Sequence, residues 1–238
     1  MTVRLLSDIE YNYKTIRENI YNSAVKAGRN PEEITFLAAT KTVEPEYINY
    51  AISLGLDHIG ENRVQELLSK YESYDLNNTK LHMIGHLQSN KVRQIVGKVD
   101  MIESVDSLKL ANEISHQSLK NNVKTDILVE VNIGGEESKS GISPDKLEEL
   151  LYQIAELKAI KVKGLMTIPP ICENKQKICG YFENMRKLFL DISAKKIDNI
   201  SMNVLSMGMS DDYCEAIAEG ATMVRIGSAL FGARNYNL

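Results

Sequence analysis

Apolar residues recur along this chain in two alternating periods. Between 4 and 27, Leu6, Ile9, Tyr13, Ile16, Ile20 and Ala24 fall three or four apart, the spacing that lines one face of a helix. Gly28 follows as a stop, because glycine readily takes the left-handed conformation that ends helices. Thr35-Phe36-Leu37-Ala38-Ala39-Thr40 is then a short apolar run and predicts a buried strand. Its helix follows at 45–55, with Pro45 suited to a first turn. The pair repeats. Further strands are predicted near 57–60, 81–85, 100–103, 125–132, 161–168, 201–205 and 222–226. Helices are predicted near 62–71, 88–96, 107–121, 144–157, 174–195 and 211–219. In 144–157, Ser143 is placed to cap, Pro144 opens, and Leu147, Leu150, Leu151, Ile154 and Leu157 form the buried face. Ile178, Phe182, Met185, Phe189 and Ile192 do the same for 174–195.

Eight strands alternating with helices, after one extra helix, require a mostly parallel sheet. Eight such units in about 200 residues predict an α/β fold made of one (β/α)8 barrel of TIM type. Residues 1–238 are expected to form that single domain, because no low-complexity or Pro/Gly/Ser-rich linker interrupts them. No GxGxxG follows any strand, which argues against a Rossmann dinucleotide site.

Composition narrows the setting. Twenty-eight Lys+Arg against 32 Asp+Glu give a net charge of −4, so no global basic field invites nucleic acid or anionic lipid. Hydrophobic residues make up 43% of the 238, enough for a large core. No apolar run approaches the ~18 residues of a membrane helix. Asp8 and Glu10 come too early for a signal peptide. The cysteines are Cys172, Cys179 and Cys214. An odd count without Cys-x-x-Cys fits reduced thiols in a cytoplasmic protein better than a disulfide framework or a zinc site. Of the histidines His58, His82, His86 and His116, only His82 and His86 form a tight pair. No acid lies between them in the HExxH manner, so no metal is expected.

A barrel of this type puts its chemistry at the C-terminal strand ends. Lys41 ends the first strand and shares the parity of Leu37 and Ala39, which aims it at the barrel interior. A partly desolvated lysine is a nucleophile suited to a Schiff base with an aldehyde or ketone; the plainer alternative is an ammonium that snorkels to the rim. Arg225 shares the parity of Met223, opposite Val224 and Ile226, and so points inward. Buried there, it needs a carboxylate or a ligand as partner. Ser206-Met207-Gly208-Met209-Ser210 and Gly227-Ser228 follow the last two strands, where barrels often hold phosphate on backbone N–H groups. Asp211 and Asp212 would repel a phosphate they faced and are better placed to support the next helical turn. Together these features suggest a phosphorylated carbonyl compound. Pyridoxal 5′-phosphate (PLP) and a phosphosugar on a Schiff-base aldolase both satisfy them.

At these residues the sequence resembles the pyridoxal phosphate homeostasis protein family. The matching segments are Ala38-Ala39-Thr40-Lys41-Thr42, Gly60-Glu61-Asn62-Arg63-Val64-Gln65-Glu66, and His82-Met83-Ile84-Gly85-His86-Leu87-Gln88-Ser89-Asn90-Lys91. Further matches are Glu130-Val131-Asn132-Ile133, Lys139-Ser140-Gly141, Gly164-Leu165-Met166, Leu205-Ser206-Met207-Gly208-Met209-Ser210 and Val224-Arg225-Ile226-Gly227-Ser228-Ala229-Leu230-Phe231-Gly232. They run from about 35 to 234 in order. The resemblance implies the alanine-racemase type of PLP barrel, fold type III, with PLP as an internal aldimine on Lys41. It implies phosphate contacts around Ser206, Gly208, Gly227 and Ser228, a pocket lined by Asn62 and Met166, and Arg225 at the pyridine nitrogen. It also implies a role in intracellular PLP homeostasis without established turnover. Lys139 is read as a solvated loop lysine, with a secondary PLP contact as the sharper alternative.

Chemistry favours a carrier over an enzyme. An arginine keeps its proton and so disfavours a protonated pyridine ring, weakening the electron sink of PLP catalysis. A racemase also needs acid/base groups on both faces of the substrate carbon. Lys41 serves one face; the second base of that type is a tyrosine from an added C-terminal β-domain, for which the chain leaves no room. Tyr213 and Tyr236 are nearby in sequence, but nothing places either opposite Lys41. The expectation is a monomer that holds PLP and releases it to amines or apo-enzymes. A PLP-dependent racemase or lyase, and the phosphosugar aldolase, are the alternatives.

Overall fold

A computed structural model of the chain describes residues 5–136 and 138–232. The first residues of the expected N-terminal helix and Tyr236 lie outside them. Eight parallel strands close into one barrel in sequential order: β1 (Thr35–Ala39), β2 (His58–Glu61), β3 (Lys80–Met83), β4 (Met101–Val105), β5 (Thr125–Glu130), β6 (Ile160–Met166), β7 (Ile200–Ser206) and β8 (Met223–Ile226). The helices are α1 (Leu6–Lys26), α2 (Pro45–Ser53), α3 (Val64–Lys70), α4 (Val92–Ile95), α5 (Leu108–Lys120), α6 (Leu147–Ala155), α7 (Lys175–Lys195), α8 (Tyr213–Ala218) and α9 (Ser228–Phe231). The expected barrel and its extra N-terminal helix are both present.

The extra helix covers the seam where the barrel closes. Ile9, Tyr13, Ile16, Ile20 and Ala24 are its buried face, and it packs on α8 and α9. Tyr13 stacks on Phe36 of β1 at 5.9 Å. Two cross-links pin it: Asn12 Nδ2 donates to the Leu230 carbonyl at 3.1 Å and Asn19 Nδ2 to the Tyr213 hydroxyl at 2.9 Å. Gly28 ends α1 at φ 69°. Its N–H donates to the Val25 carbonyl while Arg29 N–H reaches the Ala24 carbonyl, a paired closure that satisfies the last carbonyls of the helix.

Strand parity sorts the core into two layers. Phe36, Ala38, Val224 and Ile226 join the large cluster between strands and helices. Leu37, Ala39, Ile84 and Met223 form a separate cluster inside the barrel, and Met101, Leu128 and Met166 form another. Two helices start later than the apolar pattern indicates. The segment expected at 88–96 begins with a 3-10 turn, Ser89–Lys91, before α4, and Pro144–Lys146 is likewise 3-10 before α6. Ser143 makes no capping bond to a helical N–H there. The short α9 is an element that no periodicity announces.

Candidate functional site

Barrel closure makes β1 and β8 neighbours, with Ala38 in register with Ile226. The turn after β1 therefore lies beside the turn after β8. Lys41, Thr42, Gly227, Ser228 and Phe231 line one cleft between them. Gly227 sits so close to β1 that a Cβ there would come within 3.1 Å of the Ala39 carbonyl. The backbone N–H groups of Gly227 and Ala229 converge on one oxygen, Ser210 Oγ, at 3.2 and 3.1 Å. Both N–H groups are thereby engaged by the Ser210 hydroxyl.

The turn after β7 supplies the adjoining wall. Gly208 has φ 92°, and a Cβ on it would come within 2.5 Å of Ala216 Cβ, so the turn lies directly on α8 and requires glycine. Its carbonyl accepts from Arg225 N–H at 3.0 Å. Asp212 turns its carboxylate to the Met209 N–H at 2.6 Å. The acid at this turn is thereby engaged with backbone in the loop before the helix.

A buried polar relay crosses the interior beneath the cleft. Arg225, 4% exposed, donates from Nη1 to Ser206 Oγ at 2.6 Å and from Nη2 to the Thr167 carbonyl at 2.7 Å. Ser206 Oγ in turn donates to Glu103 Oε2 at 2.7 Å, and Glu103 Oε1 pairs with His82 Nδ1 at 2.7 Å. Arg225 thus meets the Glu103 carboxylate through a serine. Burial alone would push the Glu103 carboxyl up. The His82 hydrogen bond and the charges of His82 and Arg225 outweigh it and hold the group below the ordinary range. Burial lowers Arg225, against the charges of Glu103, Glu130 and Asp212; a guanidinium stays protonated regardless. Glu130 ends β5 in register with Met166. Burial, followed by the charge of Asp106, pushes its carboxyl up to about 7 against the opposing charge of Arg225.

The site thus gathers Lys41, Gly227 and Ser228 at one cleft, with Gly208 and Arg225 beside it. Met166 lies on the interior wall, fully buried with Met101 and Leu128. Asn62 follows β2, its backbone packed so tightly on Gly85 that a Cβ there would overlap it. Its side-chain carbonyl is buried without a hydrogen-bond partner among the described residues. Ser206 Oγ accepts from Arg225 and donates to Glu103, and Ser210 Oγ accepts from the Gly227 and Ala229 N–H groups. His82 and Glu103 carry no ligand role in the sequence reading; Glu103 sits in the middle of β4. His82 and His86 do not act as a pair, since His82 is buried and His86 is 57% exposed at its side chain. No cluster of three or more metal-ligating side chains occurs among the described residues, and no described helix is long and apolar enough to cross a membrane.

Known proteins resemble this chain in sequence and fold. The sequence profile of the family described as "Alanine racemase, N-terminal domain" matches residues 6–235. A pyridoxal phosphate homeostasis protein of Aquifex aeolicus is 46% identical over 221 residues, covering 93% of this chain and 96% of that one. PipY of Synechococcus elongatus PCC7942 was solved without PLP, with TM-score 0.81 and 32% identity, the match covering 91% of this chain and 100% of that one. It was also solved with PLP bound, with TM-score 0.78 and 31% identity over 90% of this chain and 100% of that one. An alanine racemase of Clostridium difficile 630 shares the fold at TM-score 0.75 and 17% identity, the match covering 100% of this chain and 64% of the racemase. The chain belongs to the alanine racemase N-terminal domain family, among the members named pyridoxal phosphate homeostasis proteins.

Proposed function

We propose that this protein binds pyridoxal 5′-phosphate reversibly and serves PLP homeostasis, releasing the cofactor to amines or apo-enzymes. The observation that carries this reading is that Lys41, after β1, lines one cleft with Gly227 and Ser228, after β8, across the β1–β8 seam. The residues fit the group. Gly227 and Ala229 already converge their N–H groups on an oxygen, and Asn62 brings a buried carbonyl with no hydrogen-bond partner among the described residues. When bound, PLP would supply an aldehyde as electrophile, for which Lys41 would be the amine nucleophile. Gly208, Gly227 and Ser228, with Ser210, would hold the phosphate. Arg225 would donate to the pyridine nitrogen, and Ser206 and Glu103 keep its guanidinium aimed and charge-balanced. Asn62 and Met166 would line the ring pocket.

PipY has been solved both with and without PLP, which supports reversible holding on this fold. Three free thiols support a cytoplasmic setting. The reading also takes the protein as a monomer, checked by sedimentation at the single-chain mass of 26.7 kDa. The decisive experiment is titration of the purified protein with PLP, followed by borohydride and peptide mapping. A yellow protein with the label on Lys41, lost in Lys41→Ala, is expected. A protein that gains no visible absorbance, or carries its label elsewhere, would overturn the reading. Amino-acid racemisation well above background and abolished in Lys41→Ala would replace the carrier with an enzyme.

A further inference from the structure

The turn that carries Lys41 is tied down on both sides by one buried charge cluster. Glu61, at the end of β2, is fully buried. Its Oε1 accepts from Thr40 Oγ1 at 2.8 Å, from the Tyr74 hydroxyl at 2.7 Å and from Lys70 Nζ at 3.0 Å. Lys70 Nζ also donates to the Thr40 carbonyl at 3.1 Å and to Glu66 Oε1 at 2.6 Å. Glu66 Oε1 then accepts from the Thr42 backbone N–H at 2.5 Å. Thr40 is held by its hydroxyl and its carbonyl, and Thr42 by its N–H. Only Lys41 lies between them. Glu66 and Lys70 reach the turn together because they stand four apart on α3.

Two features show that this arrangement is demanding. Thr42 has φ 60°, a left-handed conformation unfavourable for a β-branched residue, which persists only where surrounding bonds impose it. Glu61 Oε2 is buried without a hydrogen-bond partner among the described residues. A buried ion pair with an unsatisfied oxygen is a poor source of stability, and well-packed apolar residues often serve as well or better. Cost without stability is characteristic of groups retained to hold a geometry.

We propose that Glu61, Lys70 and Glu66 form a positioning clamp that fixes the Lys41 turn, so that its amine meets the carbonyl ligand in a reactive orientation. The proposal rests on the PLP reading above. The three are positioning residues, acting on Lys41 through the backbone and hydroxyl of Thr40 and the backbone of Thr42.

The test compares full-length wild type, Glu66→Gln, Lys70→Met and Lys70→Arg. Total PLP bound is measured by equilibrium dialysis. Bond formation at Lys41 is followed separately by stopped-flow visible absorbance across pH and by borohydride trapping. Misplacing a reacting group by an ångström can cost about a hundredfold. Glu66→Gln and Lys70→Met should therefore slow bond formation about tenfold to a hundredfold while total binding stays within about threefold. Lys70→Arg, which keeps a cation able to reach both carboxylates, should restore much of the rate. Glu66 is 20% exposed at its side chain, so its variant decides the question if Lys70→Met fails to fold. Unchanged trapping rates in the variants, with normal wild-type capture, would overturn the clamp alone. Parallel loss of rate, total binding and thermal stability would reduce it to ordinary structure and also overturn it. A wild type that never forms the bond at Lys41 would overturn the PLP reading, and the clamp with it.

Discussion

At the scale of single residues, the inward arginine was legible because strand parity needs only local sequence, whereas β1 ends at Ala39 and Lys41 lies in the turn after it. Leu37 and Ala39 do face the interior, as does Met223. What was not legible is who meets whom across the barrel. Ser206 bonds Glu103, 103 positions earlier in the chain, and no spacing rule links two strands from opposite sides of a closed sheet. That contact makes Ser206 a link between Arg225 and Glu103. Glu130 shows the energetic side of the same interior. Its carboxyl is 6% exposed, faces Asp106 and Arg225, and is pushed up to about 7, first by burial. In the unfolded chain a glutamate loses its proton near pH 4.3. A carboxyl raised on folding contributes its stability below the unfolded value and loses it as pH rises through the folded one. Replacing it with the neutral isostere removes that loss. Relative to wild type, Glu130→Gln should gain up to about 3 kcal/mol between about pH 5 and about pH 8, read by urea unfolding at both. A stability difference that does not change with pH would sink the assignment.

At the scale of elements, long amphipathic helices were readable because burial repeats over several turns. The buried residues of α1 and α7 are members of their sequence stripes. Short helices were less readable: α4 fills only part of the helix expected at 88–96, and four-residue α9 is too brief to show a period. Glycines at their neighbouring turns do two different jobs, and alanine separates them. Gly28 has φ 69° with nothing within 4 Å of an added Cβ, so Gly28→Ala meets only backbone strain, about 1 kcal/mol. Gly208 has φ 92° and its Cβ would run into Ala216 and approach Tyr213 Cα at 3.1 Å, adding overpacking to strain. Gly208→Ala should cost about 2–4 kcal/mol and weaken PLP retention, while Gly28→Ala leaves retention intact. Chemical denaturation and PLP dialysis on both variants check this. Equal costs, or equal retention, would show that the β7–α8 turn is not shaped against the helix as described.

At the scale of the whole molecule, the fold explains why a ligand here would act on more than its own pocket. A barrel joins its first and last strands, so its closure depends on contacts formed late and across the full chain length. The joint on the other side of β8 is thin: β7 meets β8 through one registered pair, Ser206 with Met223, among the described residues. The proposed site straddles both joints, with Lys41 after β1, Gly208 after β7 and Gly227 after β8. A molecule held at these three places links the thin β7–β8 joint to the better-paired β1–β8 joint. Ligand stabilisation reaches about 2.7 kcal/mol at a hundred times Kd, and local opening reports where it falls. Hydrogen exchange should therefore slow by up to about a hundredfold on saturation with PLP in residues 35–43, 205–212 and 223–231. β4 and β5, on the far wall, should change much less. The contrast is drawn within one protein, so it does not depend on absolute affinity. Protection spread evenly around the barrel would mean that the ligand stabilises the fold only globally. Protection centred on β4 and β5 would move the site away from the seam, and Lys41, Gly208 and Gly227 would lose their shared role.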